Sequence, residues 1–196
     1  MSLLRCIPFI APEEWRGKAL GEAVPPLCAH PHPAVREAAG DAMRRAVKAL
    51  PASRDAVVQG AAATLLRPPG AAQAGISLTD AAVAASALTT LRDVCAVWRG
   101  AVADEAERAR VEAEEPPSKP DAAGTGPAAS LGTLRPESAG LLLLCSPSPS
   151  VRAAAVDMLK EVAALAAALR RSGGVVDAGT AAAAGGGSDE LSLIHI

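Results

Sequence analysis

The chain has 196 residues, with 19 basic against 21 acidic side chains for a formal net charge of −2. Half of it is nominally hydrophobic yet only 2% is aromatic, since alanine supplies much of the apolar count. Mixed charges without a basic tract argue against nucleic-acid or membrane-surface binding, and the aromatic poverty argues against a β-sandwich; close packing of alanine-rich helices in about one domain fits.

Residues 1–10 are apolar without a clear period, as at the end of a helix. Pro12 followed by Glu13 and Glu14 predicts a helix start, with proline in the first turn and carboxylates at the positive end of the dipole. Trp15, Ala19 and Ala23 form its expected stripe, and Pro25-Pro26 ends or kinks it. The next helix, from Pro33 to the stop at Pro51, has apolar residues at Val35, Ala38, Ala39, Ala42, Met43, Ala46, Val47 and Leu50, the rhythm of one helix face. A shorter helix over 52–66 follows, started by Ala52 or Ser53 and stopped by Pro68-Pro69-Gly70, and a Gly/Ala loop covers 70–75.

The longest periodic element opens at Ser77 or Thr79, either of which could cap it. Its seam, Ala81, Ala84, Leu88, Leu91, Cys95, Trp98 and Val102, alternates spacings of three and four. Such a seam suits a short coiled coil, or one long helix packed among neighbours, which is the expected case. The acidic run over 104–115 reads as a solvated helix end, and the Pro/Gly-rich stretch 116–130 as a flexible insert. A helix near 135–145 then pairs with one over 148–171. Residues 172–196 are Gly/Ala-rich and are expected to be disordered; the last six, 191–196, resemble translated adapter sequence, which suggests a truncated chain.

The helix at 148–171 repeats the one at 33–51. Pro31-His32-Pro33-Ala34-Val35-Arg36 and Pro147-Ser148-Pro149-Ser150-Val151-Arg152 share the prolines, valine and arginine, followed in both by paired alanines and an aspartate (Asp41, Asp157). The second stripe is Val151, Ala154, Ala155, Met158, Leu159, Val162 and Ala163, with the arginine and aspartate on the rim. A repeated helix whose stripe must be covered by a neighbour marks a solenoid. The phrase Pro-x-Pro-x-Val-Arg-x-Ala-Ala-x-Asp resembles the start of the second helix of a HEAT repeat, so the expected fold is all-α, a HEAT/armadillo-like α-solenoid segment over 1–171.

No catalytic, cofactor-binding or metal-binding residue is assigned. His30 and His32 flank one proline and read as loop residues, since a metal site needs more ligands. Gly124-Thr125-Gly126 lacks the strand, lysine and helix of a phosphate loop. Arg36, Arg44, Arg45, Lys48 and Arg54 could form a weak anion-binding rim, but Glu37 and Asp41 stand at helical spacing to neutralise it. Cys6, Cys28, Cys95 and Cys145 are widely spaced, without a CxxC pair, and read as free thiols of a reducing compartment. Ser2–Ile10 is too short and interrupted for a secretory signal, and no stretch approaches the ~18 apolar residues of a membrane span, so a soluble intracellular chain is expected.

Val35–Ala39 through Arg44–Pro51, then Arg54-Asp55-Ala56-Val57-Val58-Gln59-Gly60, resemble the N-terminal region of the Furry family of cell-morphogenesis scaffolds. Leu88–Val102, Glu137–Ser146 and Val151–Arg171 are similar to later helices of that family, and Ile7-Pro8 and Ala11–Trp15 to its beginning. The likeness is collinear over most of residues 5–171; the insert at 116–130, the alanine excess and everything past Arg171 depart from it. The resemblance implies a non-enzymatic scaffold that supports an NDR-type kinase and its Mob co-activator in polarised growth, in the cytoplasm or at the cell cortex. Another HEAT-type adaptor, such as a transport receptor or phosphatase scaffold, and an enzyme framed by helical repeats remain the alternatives.

Overall fold

Prolines at positions 33 and 149 open two of the long helices. The computed structural model describes residues 18–67, 80–114, 130–132, 134–173 and 175–177. Helix α1 (Lys18–Ala23) leads into a 3₁₀ turn (Pro25–Ala29), and α2 (Pro33–Ala49) ends where Pro51 opens a second 3₁₀ turn (Pro51–Ser53). Then come α3 (Arg54–Leu65), α4 (Ala81–Glu114), the short strand β1 (Ser130–Gly132), α5 (Leu134–Leu144), α6 (Pro149–Arg171) and strand β2 (Val175–Asp177). The described chain is therefore mostly helical, as expected of an all-α protein.

Several local expectations change. The residue that opens α4 is Asp80, whose Oδ1 accepts the Ala82 N–H at 2.8 Å; Ser77 and Thr79 lie outside the described residues. Ser53 precedes α3 but makes no side-chain cap, and its hydroxyl is buried. In α1 the inward positions are Leu20 and Gly21, followed by Val24, whereas Ala23 is exposed; Trp15 lies outside the described residues. The last residue of the expected insert, Ser130, opens a strand, and residues 175–177 of the tail expected to be disordered pair with it in parallel, Ser130 opposite Val175 and Gly132 opposite Asp177. The rest of 116–130 and of 172–196, including 191–196, lies outside the described residues apart from the turn at Ser172 and Gly173 that closes α6. There Gly173 adopts φ +78°, the left-handed conformation that ends helices at low cost in glycine.

The helices form two rows. In one, α3 packs between α1 and α5; in the other, α4 packs between α2 and α6. Across the rows α3 meets α4, α5 meets α6, and the first 3₁₀ turn links α1 to α2. One continuous core runs between the rows, with Trp98, Leu88 and Leu91 of α4, Met43 of α2, and Met158, Leu165 and Leu169 of α6 fully buried.

Small residues sit at the crossings. A Cβ on Gly60 of α3 would overlap the carbonyl oxygen of Gly21 in α1, and one on Gly21 would overlap that of Ala56. Helix α4 buries Val83, Ala87 and Val94 besides its seam, so it is enclosed by neighbours on more than one side and the seam is spent inside the molecule. Contrary to the expectation that no stretch approaches a membrane span, α4 is long and apolar enough to cross one by length and composition, with a mean hydropathy of 1.2 over an 18-residue window. Its largest apolar side chains, Leu88, Leu91 and Trp98, face the core.

Candidate functional site

The two copies of the helix-start phrase are built alike. Arg36 Nη1 turns back to donate to the carbonyls of His30 (2.8 Å) and Pro31 (2.7 Å). Arg152 Nη1 donates to those of Ser146 (2.8 Å) and Pro147 (2.9 Å), 116 positions later in both donor and acceptors. The residues before the two helices, His32 and Ser148, share an extended backbone (φ −78°, ψ 122° and φ −75°, ψ 122°). Even the side chain two residues back plays one part: His30 Nδ1 accepts the His32 N–H, and Ser146 Oγ accepts the Ser148 N–H. These arginines clamp the lead-in loop to the helix; Arg152 stays exposed on the rim, whereas Arg36 is half-buried.

The segment Arg54–Gly60, singled out in the sequence, bonds to three other elements of the described chain. Pro51 has no N–H to give to the carbonyl of Val47 four residues back. Arg54 supplies the missing donor, Nε to Val47 O at 2.8 Å. Its other two nitrogens fork onto Glu105 of α4, Nη2 to Oε1 at 2.6 Å and Nη1 to Oε2 at 3.0 Å. The Arg54 side chain is 3% exposed and Glu105 42%. The hydrogen bond from Arg54 holds the Glu105 carboxyl below the usual range, against a smaller upward push from burial. Next to it, Asp55 Oδ1 accepts the Gly132 N–H at 3.0 Å, and one turn on Gln59 Nε2 donates to the Gly132 carbonyl, so α3 grips both backbone groups of β1 at that residue. Val57 and Val58 are fully buried.

Ion pairs tie the second row together. Asp41 and Arg44 pair within α2 at 2.6 Å, Arg44 reaches Asp93 of α4 at 3.8 Å, and Arg99 of α4 meets Glu161 of α6 at 2.6 Å. Asp157 and Lys160 pair within α6 at 3.5 Å, in the register of Asp41 and Arg44. The five basic residues that could have formed an anion rim are thus dispersed: Arg36 clamps a loop, Arg44 is paired, Arg54 is buried, and Arg45 and Lys48 are exposed.

His30 and His32 stay in the loop before α2. Among the described residues no three His, Cys, Asp or Glu side chains gather as a metal site would require. In the acidic end of α4, Asp104 and Glu107 are exposed, and with Arg108 and Val111 they line an open groove on that single helix. Gly124-Thr125-Gly126 and Cys6 lie outside the described residues. Cys28 and Cys95 are buried, and burial pushes both thiols up to about 12, whereas Cys145 is exposed. Among the described residues, the exposed large apolar side chains are Val111, Leu141, Leu142 and Val156.

Comparison with protein-family models, with curated proteins and with solved structures finds no match for this chain.

Proposed function

We propose that this chain is a non-enzymatic scaffold segment of the Furry type, a HEAT/armadillo-like stack of helical hairpins that supports NDR-kinase signalling in cell morphogenesis. The observation that carries the repeat part of the reading is the duplicated clamp, Arg36 and Arg152 bonded to equivalent carbonyls 116 positions apart. The two-row helix order supports it as well, since hairpins that cannot bury their stripes alone stack in this manner. The kinase part rests on the collinear resemblance of residues 5–171.

The scaffold acts by display. Stacked helices offer an extended face on which a kinase and its co-activator meet at raised effective concentration. Co-precipitation of the tagged, full-length protein with an NDR-type kinase and Mob tests this directly. Recovery of both partners supports the reading, and recovery of neither overturns the kinase assignment.

A further inference from the structure

The chain holds 16 prolines, yet a serine or threonine precedes proline only at Ser146-Pro147 and Ser148-Pro149, both in the lead-in to α6. The two hydroxyls are not equivalent. Ser146 is half-buried, its Oγ accepts the Ser148 N–H at 3.3 Å, and its carbonyl is held by Arg152. Ser148 carries its hydroxyl at the surface, bonded at 2.9 Å to that of exposed Ser150. Exposed prolines on either side keep Ser148 extended (φ −75°, ψ 122°), the shape in which a protein kinase accepts a substrate segment. Arg152 stands beside it: the Pro147 carbonyl that it holds at 2.9 Å belongs to the peptide bond of Ser148. Both of these bonds come from Nη1, which leaves Nη2 and Nε of an exposed guanidinium to donate. The first copy has the same backbone and the same clamp around His32, without a hydroxyl.

The structure assigns Ser148 as a phosphorylation site for a proline-directed protein kinase, with Arg152 as the seat of the phosphate. Ser148 Oγ bonds to the terminal phosphorus of a nucleoside triphosphate held by that enzyme. The bond from this phosphorus to the bridging oxygen breaks, the nucleoside diphosphate leaves, and the hydroxyl proton passes to the catalytic carboxylate of the kinase. The product carries a charge of about −1.5 to −2 and three acceptor oxygens. Nη2 and Nε of Arg152 form a fork suited to two of those oxygens, while Nη1 keeps its carbonyls. Phosphorylation therefore tightens the lead-in and the start of α6. The inference rests on the lead-in geometry and is independent of the NDR-kinase reading.

The test treats the full chain with ATP and a purified cyclin-dependent kinase to low conversion and reads the sites by tandem mass spectrometry. Phosphate is expected at Ser148 about tenfold or more ahead of Ser146, whose half-buried hydroxyl must first be released. A peptide of residues 140–156, free of the fold, should lose that preference. In a Ser146→Ala chain, complete phosphorylation of Ser148 should raise Tm by about 2 °C or more. Adding Arg152→Gln should leave the labelling in place and remove the rise. No phosphate at Ser148, or equal labelling of Ser146 and Ser148 in the folded chain, overturns the site. A Tm that phosphorylation does not move, or that rises as much in the Arg152→Gln chain, overturns the seat. Failure here leaves the NDR-kinase co-precipitation untouched, and the converse holds.

Discussion

Arg36 and Arg152 make the same pair of hydrogen bonds, each from a single nitrogen to the carbonyls six and five residues earlier. One guanidinium therefore closes a loop that two prolines have already stiffened. The contact is local to each lead-in and the two share no partner. Arg36→Ala and Arg152→Ala should each lower stability by about 1 kcal/mol, with Arg36 the larger because its bond to His30 is partly buried. The double variant should equal the sum within about 0.5 kcal/mol. Urea midpoints at unchanged slope measure this, and an effect confined to one site would break the equivalence of the two copies.

Two helical glycines should respond in opposite directions to one extra methyl group. Gly60 lies where α3 crosses α1, and its Cβ would overlap the Gly21 carbonyl, so Gly60→Ala forces the helices apart at a cost of about 1–3 kcal/mol or more. Gly100 is exposed in α4 with nothing within 4 Å of its Cβ position. Gly100→Ala should gain about 0.5–1 kcal/mol from helix propensity alone. Thermal melts of the two variants should shift in opposite senses.

The glycine at the α1–α3 crossing illustrates what a sequence displays and what it withholds. Periodicity and proline placement located α2, α3, α5 and α6 to within a residue or two, because a stripe and its stops are local properties. Close approach is not local: Gly21 and Gly60 look like ordinary helix interruptions until the crossing pairs them. Arg36 and Arg152 read as rim charges, and Arg152 is indeed exposed, but the clamp each one makes is invisible because a backward-folding side chain leaves no periodic trace. In α6 the expected stripe included Ala154, Leu159 and Ala163, yet the first two are half-buried and the last exposed. Which flank of a repeated stripe is covered depends on the neighbour, and the sequence of one helix does not contain its neighbour. The strands β1 and β2 are three residues each, too short to show alternation. Arg54 was legible only as one of several cations; the link to Pro51 is local, but the link to Glu105 spans 51 positions.

The thiols should separate by reactivity. Burial pushes Cys28 and Cys95 up to about 12, so at pH 8 almost none of either is thiolate. In a Cys6→Ser background, iodoacetamide at pH 8 should modify Cys145 in the folded protein. Cys28 and Cys95 should be modified only after denaturation. Peptide mapping of the alkylated chain reads the sites, and rapid labelling of Cys95 in the native state would contradict its packing in the core.

Arg54 and Glu105 should behave as one unit with an acid-side signature. Glu105→Gln leaves the guanidinium of a side chain only 3% exposed without its counter-ion. Breaking a fully buried pair costs about 3–5 kcal/mol; Glu105 is partly open to water, which screens the loss to about 2 kcal/mol. Arg54→Met removes the same pair and also orphans the Val47 carbonyl that Pro51 cannot serve, so it should cost at least as much. With Arg54 already replaced, Glu105→Gln should cost almost nothing further, since the carboxylate has lost its partner. The pH dependence follows from the direction of the shift. The folded Glu105 carboxyl is depressed below its ordinary value of about 4.3, so its contribution is complete above that pH and drains away as pH falls through the folded value. The stability gap between the native chain and Glu105→Gln should therefore be constant from pH 6 to 8 and narrow below about pH 4. Paired urea titrations across that range decide it: a gap that persists unchanged at pH 3 would show that the Glu105 charge is not what Arg54 is held by.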